Sequence, residues 1–298
     1  METKKAQGAY HVRSVLAAMA TVVMWSSNFP FTRFLHQCYS PAVIMLLRFA
    51  VASTILIVLG IIMKIRLPKV RDLPECVAFG GFGMFLYMLT LNTGTLHVVA
   101  GVSSFIVASA PVFTLIICRL FLKEIVKPAC WVGVILSFCG IIVVMMSQTT
   151  GFKINIGTVL LLGTAICGSI FSVAQRMLVK KYTLTETTAY GVLTGTIFML
   201  PYIPAAIREL PASTLPYNLA VIYLGIFPVV IAYHTWGYAL KKAEKTTHVT
   251  VFLYLVPFFA SLIGLFWLGE TFSLISLFGG VVIIAGVVLT NVLGRSHK

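Results

Sequence analysis

The chain has 298 residues, of which 59% are hydrophobic and only 10% are charged, and its mean hydropathy is +1.00. Soluble domains carry roughly 25% charged residues, so this composition excludes a water-soluble globular protein and indicates an all-α integral membrane protein. The net charge of +14 is spread in short clusters between apolar runs, whereas a nucleic-acid-binding protein concentrates its basic residues. We therefore expect the lipid bilayer, and no nucleic acid, as a partner.

Ten apolar windows follow one another along the chain, each of about twenty residues, which is the length that crosses a bilayer as a helix. The predicted spans are 13–35, 40–63, 74–96, 101–122, 128–147, 155–178, 185–206, 217–239, 246–268 and 272–293. The first window runs into WSSNFPF without a small-residue cleavage site, so it is predicted to be a retained span and not a signal peptide. The connections are too short to hold a soluble domain.

The basic residues predict the orientation of these spans. Eighteen of the 22 Lys and Arg residues fall in the N-terminal segment and in the alternate connections on the same side, including the C-terminus. The opposite side has only Arg33, Lys153 and Arg208, and Arg48 lies within the second span. Because cytoplasmic loops are enriched in Lys and Arg, we expect a multi-pass protein of the cell inner membrane with both termini in the cytoplasm.

A long internal repeat divides the chain. Residues 111–124 (PVFTLIICRLFLKE) and 257–270 (PFFASLIGLFWLGE) each run from a proline to a glutamate, and glycines follow at corresponding positions. The offset of 146 residues also pairs Tyr87 with Tyr233 and Trp25 with Phe171. We predict two five-helix halves, 1–148 and 150–298, in opposite membrane orientations because five is odd. Secondary transporters commonly have this inverted layout, with the site near the midplane, although a duplicated structural protein would show the same pattern.

Three sequence features together resemble a known family. They are WSSNFPFTR in the first span, LLRFAVAS in the second, and the two P-x12-E-x8-G-x6-G stretches. The chain resembles the EamA branch of the drug/metabolite transporter superfamily over essentially its whole length. The resemblance implies a ten-helix carrier with helices 1–4 and 6–9 around a central cavity and helices 5 and 10 at the periphery. Members export amino acids, other small metabolites or drugs, so the resemblance leaves the cargo open.

Several kinds of chemistry have no sequence signature. There is no P-loop and no H-E-x-x-H motif, and the six cysteines show no metal-ligand spacing, so no metal and no cofactor are expected. No acidic residue falls in the middle of a predicted span, which favours neutral, zwitterionic or weakly anionic cargo, most simply amino acids, over cations.

Two alternatives to an exporter of small metabolites stay open. One is an exporter of cationic drugs, and the other is a membrane-embedded enzyme or a lipid-handling protein. The oligomeric state is also open, and a monomer is possible.

The candidate substrate site is predicted from helix faces. Trp25 and Asn28 share one face of the first span, and the repeat relates that face to one holding Phe171 and Gln175. Arg48 has two readings, an anchor that extends to the membrane interface or a partner for a substrate carboxylate. The predicted substrate-binding residues are Trp25, Asn28, Arg48, Tyr87, Asn92, Phe171, Gln175, Tyr233, His234, Trp236 and Tyr254.

Four repeat-related residues receive other roles. Pro111 and Pro257 fall inside predicted spans, where proline can kink a helix, and we expect them to act as hinges. Glu124 and Glu270 lie on opposite sides of the membrane, each just before the next helix. We expect both to be structural, with their carboxylates meeting the free backbone N–H groups of that next helix and holding the hairpins of helices 4–5 and 9–10.

Overall fold

The computed structural model describes residues 2–121, 128–147, 155–178, 180–242, 251–271 and 273–294. Within these ranges some side chains, among them those of Pro111 and Tyr254, lie outside the description, and Glu124 lies outside the described ranges altogether. The described residues are helical and contain no strand. This is the arrangement that satisfies every backbone hydrogen bond within one segment, as a bilayer requires.

Fourteen α-helices follow along the described residues. They are α1 (Glu2–Leu35), α2 (Pro41–Ile62), α3 (Leu73–Gly80), α4 (Tyr87–His97), α5 (Ala100–Val107), α6 (Ala110–Phe121), α7 (Pro128–Ser147), α8 (Ile156–Leu178), α9 (Leu184–Met199), α10 (Ile203–Glu209), α11 (Leu215–Leu224), α12 (Ala232–Lys242), α13 (Val256–Leu268) and α14 (Leu274–Gly294). Two π-helical segments, Gly81–Leu86 and Gly225–Ile231, join α3 to α4 and α11 to α12.

Among the described residues, ten apolar helical stretches overlap the predicted windows. Five are long and apolar enough to cross a membrane by length and composition: Val15–Leu35, Pro41–Ile62, Val70–His97, Leu184–Ala212 and Leu215–Trp236. Five shorter apolar stretches fall in the other predicted windows: Ala100–Thr114, Trp131–Val144, Ile156–Phe171, Val256–Leu268 and Leu274–Leu289. The predicted positions of apolar helices therefore agree with the structure along the chain.

Local sequence chemistry explains several helix ends. Thr183 precedes α9 and forms a capping box with Glu186, in which each side chain accepts a hydrogen bond from the other residue's backbone N–H. Pro41 begins α2, a position where the missing amide hydrogen costs no hydrogen bond. Gly269 follows the end of α13 with a φ of 64°, a left-handed conformation that favours glycine.

The helices of residues 1–148 pack mainly against those of residues 150–298. Helix α1 contacts α12 and α13, α2 contacts α9, and α4 contacts α8. The core shared by these helices is continuous, and it includes Phe49 and Phe79 together with Leu161 and Leu224. The surface between the two parts of the chain is therefore the inside of the bundle, and polar side chains there are shielded from lipid.

Helices α7 and α14 cross with their glycines in contact. A methyl group added at Gly140 would lie 2.6 Å from the amide nitrogen of Ile283 and 2.8 Å from the carbonyl oxygen of Gly279. One added at Gly286 would lie 2.6 Å from the carbonyl oxygen of Gly133. The helices are antiparallel, since the contact partner moves back along α14 as α7 advances. These glycines therefore form close-packing surfaces between the two helices.

The two prolines predicted to be hinges lie at helix starts. Pro257 is in the first turn of α13, and a 3-10 segment, Val251–Leu255, precedes it. Pro111 is the second residue of α6, which is separated from α5 by two residues. Neither proline lies in the middle of a continuous helix, and the expectation that both act as hinges stays a prediction. Proline fits the first turn of a helix, and each apolar stretch is interrupted just before that turn.

The α7–α14 crossing supplies a stability test. Gly140→Ala places a methyl group against backbone atoms that cannot move independently, and overpacking of this kind costs about 1–3 kcal/mol. We expect a lower melting temperature and a lower folded yield for the purified protein in detergent. Gly163→Ala is the matched control, because its nearest neighbour outside the helix is Thr90 Cγ2 at 3.8 Å. Equal melting temperatures for the two variants would contradict the packing described.

Candidate functional site

Five aromatic side chains form a continuous chain of ring contacts inside the bundle. The centroid distances are 5.4 Å between Trp236 and Trp25, 5.6 Å between Trp25 and Tyr233, 5.8 Å between Tyr233 and Phe171, and 4.8 Å between Phe171 and Phe79. These residues, called the aromatic cluster below, come from α1, α3, α8 and α12. Tertiary packing thus brings together four residues that the sequence predicted for one site.

Phe79 is the member of the aromatic cluster that the sequence did not predict. Its ring packs over Gly191 of α9, where any side chain would overlap the Phe79 ring, and Phe79 is fully buried. The repeat relates Phe79 to Gly225, so symmetry between the halves did not identify it. Gly191 leaves room for the Phe79 ring, but this relation can be recognised only when α3 and α9 are known to be neighbours.

A π-helical segment precedes Tyr87 in the first half and Tyr233 in the second. Gly81–Leu86 and Gly225–Ile231 overlap when the two repeats are aligned by the offset of 146 residues. In the second segment Pro228 lacks an amide hydrogen, and its carbonyl accepts a 3.1 Å hydrogen bond from the indole Nε1 of Trp25. Single-turn π segments frequently occur at functional sites.

Arg48 lies inside the bundle beside the aromatic cluster. Its side chain is 1% exposed, and Nη1 donates a 2.6 Å hydrogen bond to Asn28 Oδ1, one turn along α1 from Trp25. The backbone of α2 at Arg48 packs against Gly225, and Tyr87 and Tyr233 lie within electrostatic range of the guanidinium. The reading of Arg48 as an anchor that extends to the interface is wrong, because the side chain stays buried.

Four other predicted residues are less closely connected to the cluster. Asn92 is buried, but its Nδ2 donates to the carbonyl of Pro41 at 3.0 Å, so it joins α4 to the start of α2. His234 Nδ1 is hydrogen bonded at 2.8 Å to the carbonyl of Val230 in its own helix turn. Gln175 lies one turn after Phe171 on α8 and is half-buried. Tyr254 has no described side chain.

Known proteins match this chain along nearly its full length. The EamA-like transporter family model matches residues 12–146 and again residues 155–292. The chain belongs to the EamA-like transporter family. It is therefore a multi-pass membrane transporter of small molecules and not an enzyme, which confirms the resemblance noted in the sequence.

Three relatives of this EamA-like transporter cover most of both chains. A probable terminal-alkyne amino-acid exporter of Streptantibioticus cattleyicolor is 33% identical, covering 96% of this chain and 96% of that protein. The uncharacterized transporter YdfC of Bacillus subtilis is 31% identical, with 94% and 91% covered. The uncharacterized inner membrane transporter YedA of Escherichia coli K12 is 26% identical, with 92% and 89% covered.

A solved crystal structure has the same fold. It superposes with a TM-score of 0.65 over 95% of this chain and 99% of that chain, at 20% sequence identity. At this identity the likeness concerns the path of the helices alone.

An ion pair ties four helix ends of the EamA-like transporter together, at what we call the Arg33 end. Arg33 Nε lies 2.6 Å from Glu270 Oε1, and Arg33 Nη1 donates to the carbonyls of Thr95 and Val98, each at 2.8 Å. Glu270 Oε2 accepts a 2.9 Å hydrogen bond from the amide of Ala100, the first residue of α5. Burial raises the pKa of the Glu270 carboxyl, although Arg33 and the amides of α5 oppose this shift.

The partner of Glu270 differs from the one expected. The prediction that it meets the N-terminus of the following helix, α14, is wrong, because its carboxylate binds the N-terminus of α5 in the other half of the chain. The physical principle is the expected one, a carboxylate at free backbone N–H groups. Sequence proximity suggested the wrong helix, and Glu124 lies outside the described residues.

The opposite end of the bundle has a second polar cluster, called the Lys181 end. Lys181 Nζ lies 2.8 Å from Asp72 Oδ1 and 2.8 Å from Glu75 Oε2, and Tyr182 donates to Asp72 Oδ2 at 2.7 Å. The hydrogen bonds to Asp72 and Glu75 raise the pKa of Lys181. These contacts join the start of α3 to the connection between α8 and α9.

Removal of the charge at the Arg33 end should affect folding more than transport. Glu270→Gln leaves Arg33 without its carboxylate, a loss of roughly 3 kcal/mol, the low end for a broken buried pair because Arg33 is 28% exposed. We expect a lower folded yield and melting temperature, with substrate affinity little changed in the protein that folds. Glu75→Gln is the control, because its ion pair is more exposed and contributes little. A changed affinity at normal yield would contradict a structural role for Glu270.

Proposed function

We propose that this transporter exports a small neutral or zwitterionic metabolite, most simply an amino acid, by alternating access. The observation that carries the proposal is the aromatic cluster, which draws on α1 and α3 from one half of the chain and on α8 and α12 from the other. Aromatic walls with a few polar groups are typical of small-molecule sites. A site shared between the halves is one that their relative motion can open to either side.

An inverted arrangement of halves 1–148 and 150–298, with ten spans in all, is part of the proposal. Helices α7 and α14 are equivalent by the repeat and cross antiparallel, as helices of opposite orientation must. Their contacts are also mutual, since Ser137 donates to the carbonyl of Ile283, the residue 146 positions later. The family model that matches twice supports the same division. Under the predicted orientation both termini are cytoplasmic and the Arg33 end faces outward.

Alternating access requires the halves to separate at one end at a time. The ion pair of Arg33 with Glu270 joins the halves at one end, and that of Lys181 with Asp72 and Glu75 joins them at the other. Both sets of contacts are formed in this structure. We propose that release to the outside breaks the contacts at the Arg33 end while those at the Lys181 end stay formed.

The cargo is proposed from charge and from a relative. The described acidic side chains lie at the two ends of the bundle and none contacts the aromatic cluster, which argues against a cationic drug. The Streptantibioticus cattleyicolor relative is named as a probable terminal-alkyne amino-acid exporter, and amino acids are the class that we carry over. Counterflow in proteoliposomes across amino acids, nucleosides, sugars and cationic dyes tests the proposal. Absence of flux for every class would refute it.

The aromatic cluster itself is tested by matched tryptophan variants. Trp25→Leu removes the ring that contacts both Tyr233 and Trp236, along with the hydrogen bond to Pro228. We expect about tenfold lower flux of the transported amino acid, because one aromatic contact is worth on the order of 1 kcal/mol or more. Trp131→Leu on α7 is the control, since Trp131 is 39% exposed and lies outside the cluster. Equal losses in both variants would contradict the site.

The hinge role of the prolines is a separate prediction. In the double variant Pro111→Ala, Pro257→Ala, each interrupted helix becomes free to continue through the break, so the halves should move less readily. We expect slower turnover in counterflow at unchanged expression and unchanged affinity. Pro216→Ala is the control, because Pro216 is also the second residue of its helix, α11, and is exposed. Normal turnover in the double variant would contradict a hinge role for Pro111 and Pro257.

A further inference from the structure

Arg48 is a buried cation whose hydrogen-bonding capacity is only partly used. Its side chain is 1% exposed, Nη1 binds the amide oxygen of Asn28, and Nε is buried without a hydrogen-bond partner among the described residues. A guanidinium carries five N–H donors in a planar fork that matches a carboxylate. The neutral amide of Asn28 binds Nη1, and among the described side chains no carboxylate balances the positive charge.

The described acidic side chains are all engaged elsewhere. Their partners lie at the ends of the bundle: Lys181 for Asp72 and Glu75, Thr183 for Glu186, the amide of Ser40 for Glu209, and Arg33 for Glu270. A cation buried without a counter-ion costs several kcal/mol, which structural packing alone does not repay. Charged residues inside membrane spans commonly mark substrate pathways for this reason.

The position of the guanidinium shows what else a bound anion would touch. Its partner Asn28 follows Trp25 by one turn of α1, and Trp25 contacts Tyr233. The backbone carbonyl of Arg48 packs against Gly225, which begins the π-helical segment before Tyr233. A molecule with its carboxylate on Arg48 would therefore lie next to Asn28 and within reach of Trp25, the first ring of the aromatic cluster on that helix. An ammonium group there would meet no described acidic side chain, so cation–π attraction to an aromatic ring is its available interaction.

We propose that Arg48 binds the carboxylate of the cargo, so that the transporter accepts amino compounds bearing a free carboxylate and rejects the corresponding amides and amines. This inference rests on the proposed function and narrows it, since nucleosides, sugars and cationic dyes have no such carboxylate. It also explains why the arginine is at the bundle centre beside aromatic rings, where a neutral substrate would need no charge.

The first test uses the unaltered protein. Proteoliposomes are loaded with tritiated leucine, phenylalanine or threonine, and counterflow is competed with the same amino acid, its amide and its decarboxylated amine. We expect the free acid to compete at least tenfold better than the amide or the amine, because a buried donor left unpaired penalises analogues that lack the carboxylate. Equal competition by acid and amide would overturn the assignment.

The second test replaces the arginine. Arg48→Gln should abolish the preference for acid over amide, whereas Arg48→Lys should keep the preference at weaker affinity, because an ammonium retains the charge without the planar fork. Arg208→Gln on α10 is the control, since Arg208 is exposed and is not a member of the aromatic cluster. A merely structural Arg48 would lower folded yield while leaving the acid-to-amide ratio unchanged, and that result would refute the proposal.

The outcomes separate this inference from the proposed function. Absence of flux for all cargo classes in the unaltered protein refutes transport, and the assignment of Arg48 falls with it. Flux of a nucleoside, a sugar or a dye, but of no amino acid, leaves transport standing and refutes the assignment alone. If Arg48→Gln does not fold, the competition between acid and amide in the unaltered protein still decides.

Discussion

Hydrocarbon offers no hydrogen-bond partners, and this constraint determines which polar groups the bundle can contain. Many hydroxyl groups of the spans satisfy it locally by donating to the carbonyl one turn earlier, as Thr93 does to Leu89 and Thr196 does to Val192. Others join helices, as Thr21 and Thr235 do between α1 and α12 at 2.7 Å. Because most polar groups are hydrogen bonded in these ways, a buried polar group that lacks a partner indicates a possible binding role. Arg48, whose Nε has no described partner, is the clearest example.

Close backbone approach supplies much of what holds the helices together in the absence of water. Lipid chains are as apolar as leucine, so glycine surfaces and interhelical hydrogen bonds replace the hydrophobic effect between helices. The crossing of α7 and α14 uses this principle away from the site, and Gly191 uses it beside Phe79. The first contact holds two repeat-related helices against each other, whereas the second makes room for a ring of the aromatic cluster. Glycine therefore serves both helix packing and the construction of the candidate site.

Much of the arrangement was predictable because membrane helices leave a strong local signal. The windows of apolar residues predicted the helical stretches, and the predicted substrate-binding residues included Trp25, Phe171 and Tyr233, which the structure brings together. The misses concern contacts between helices distant in sequence. Phe79 packs over Gly191 and contacts Phe171, which the sequence did not predict. The Glu270 carboxylate binds the N-terminus of α5 and not that of α14, because tertiary packing decides which segments are neighbours. The π segments before Tyr87 and Tyr233 were also missed, since no composition rule separates them from ordinary helix.

The sequence by itself determined that the chain crosses a membrane through apolar helices and that its two halves are related. Those properties follow from local composition and from a repeat, which need no knowledge of neighbours. Tertiary structure decided which side chains meet: it buried Arg48 against Asn28 instead of leaving it at the interface, and it placed the guanidinium beside aromatic rings from both halves. The reason is that burial and electrostatic environment depend on the packing of distant segments, and a single helix carries no record of what will cover each of its faces.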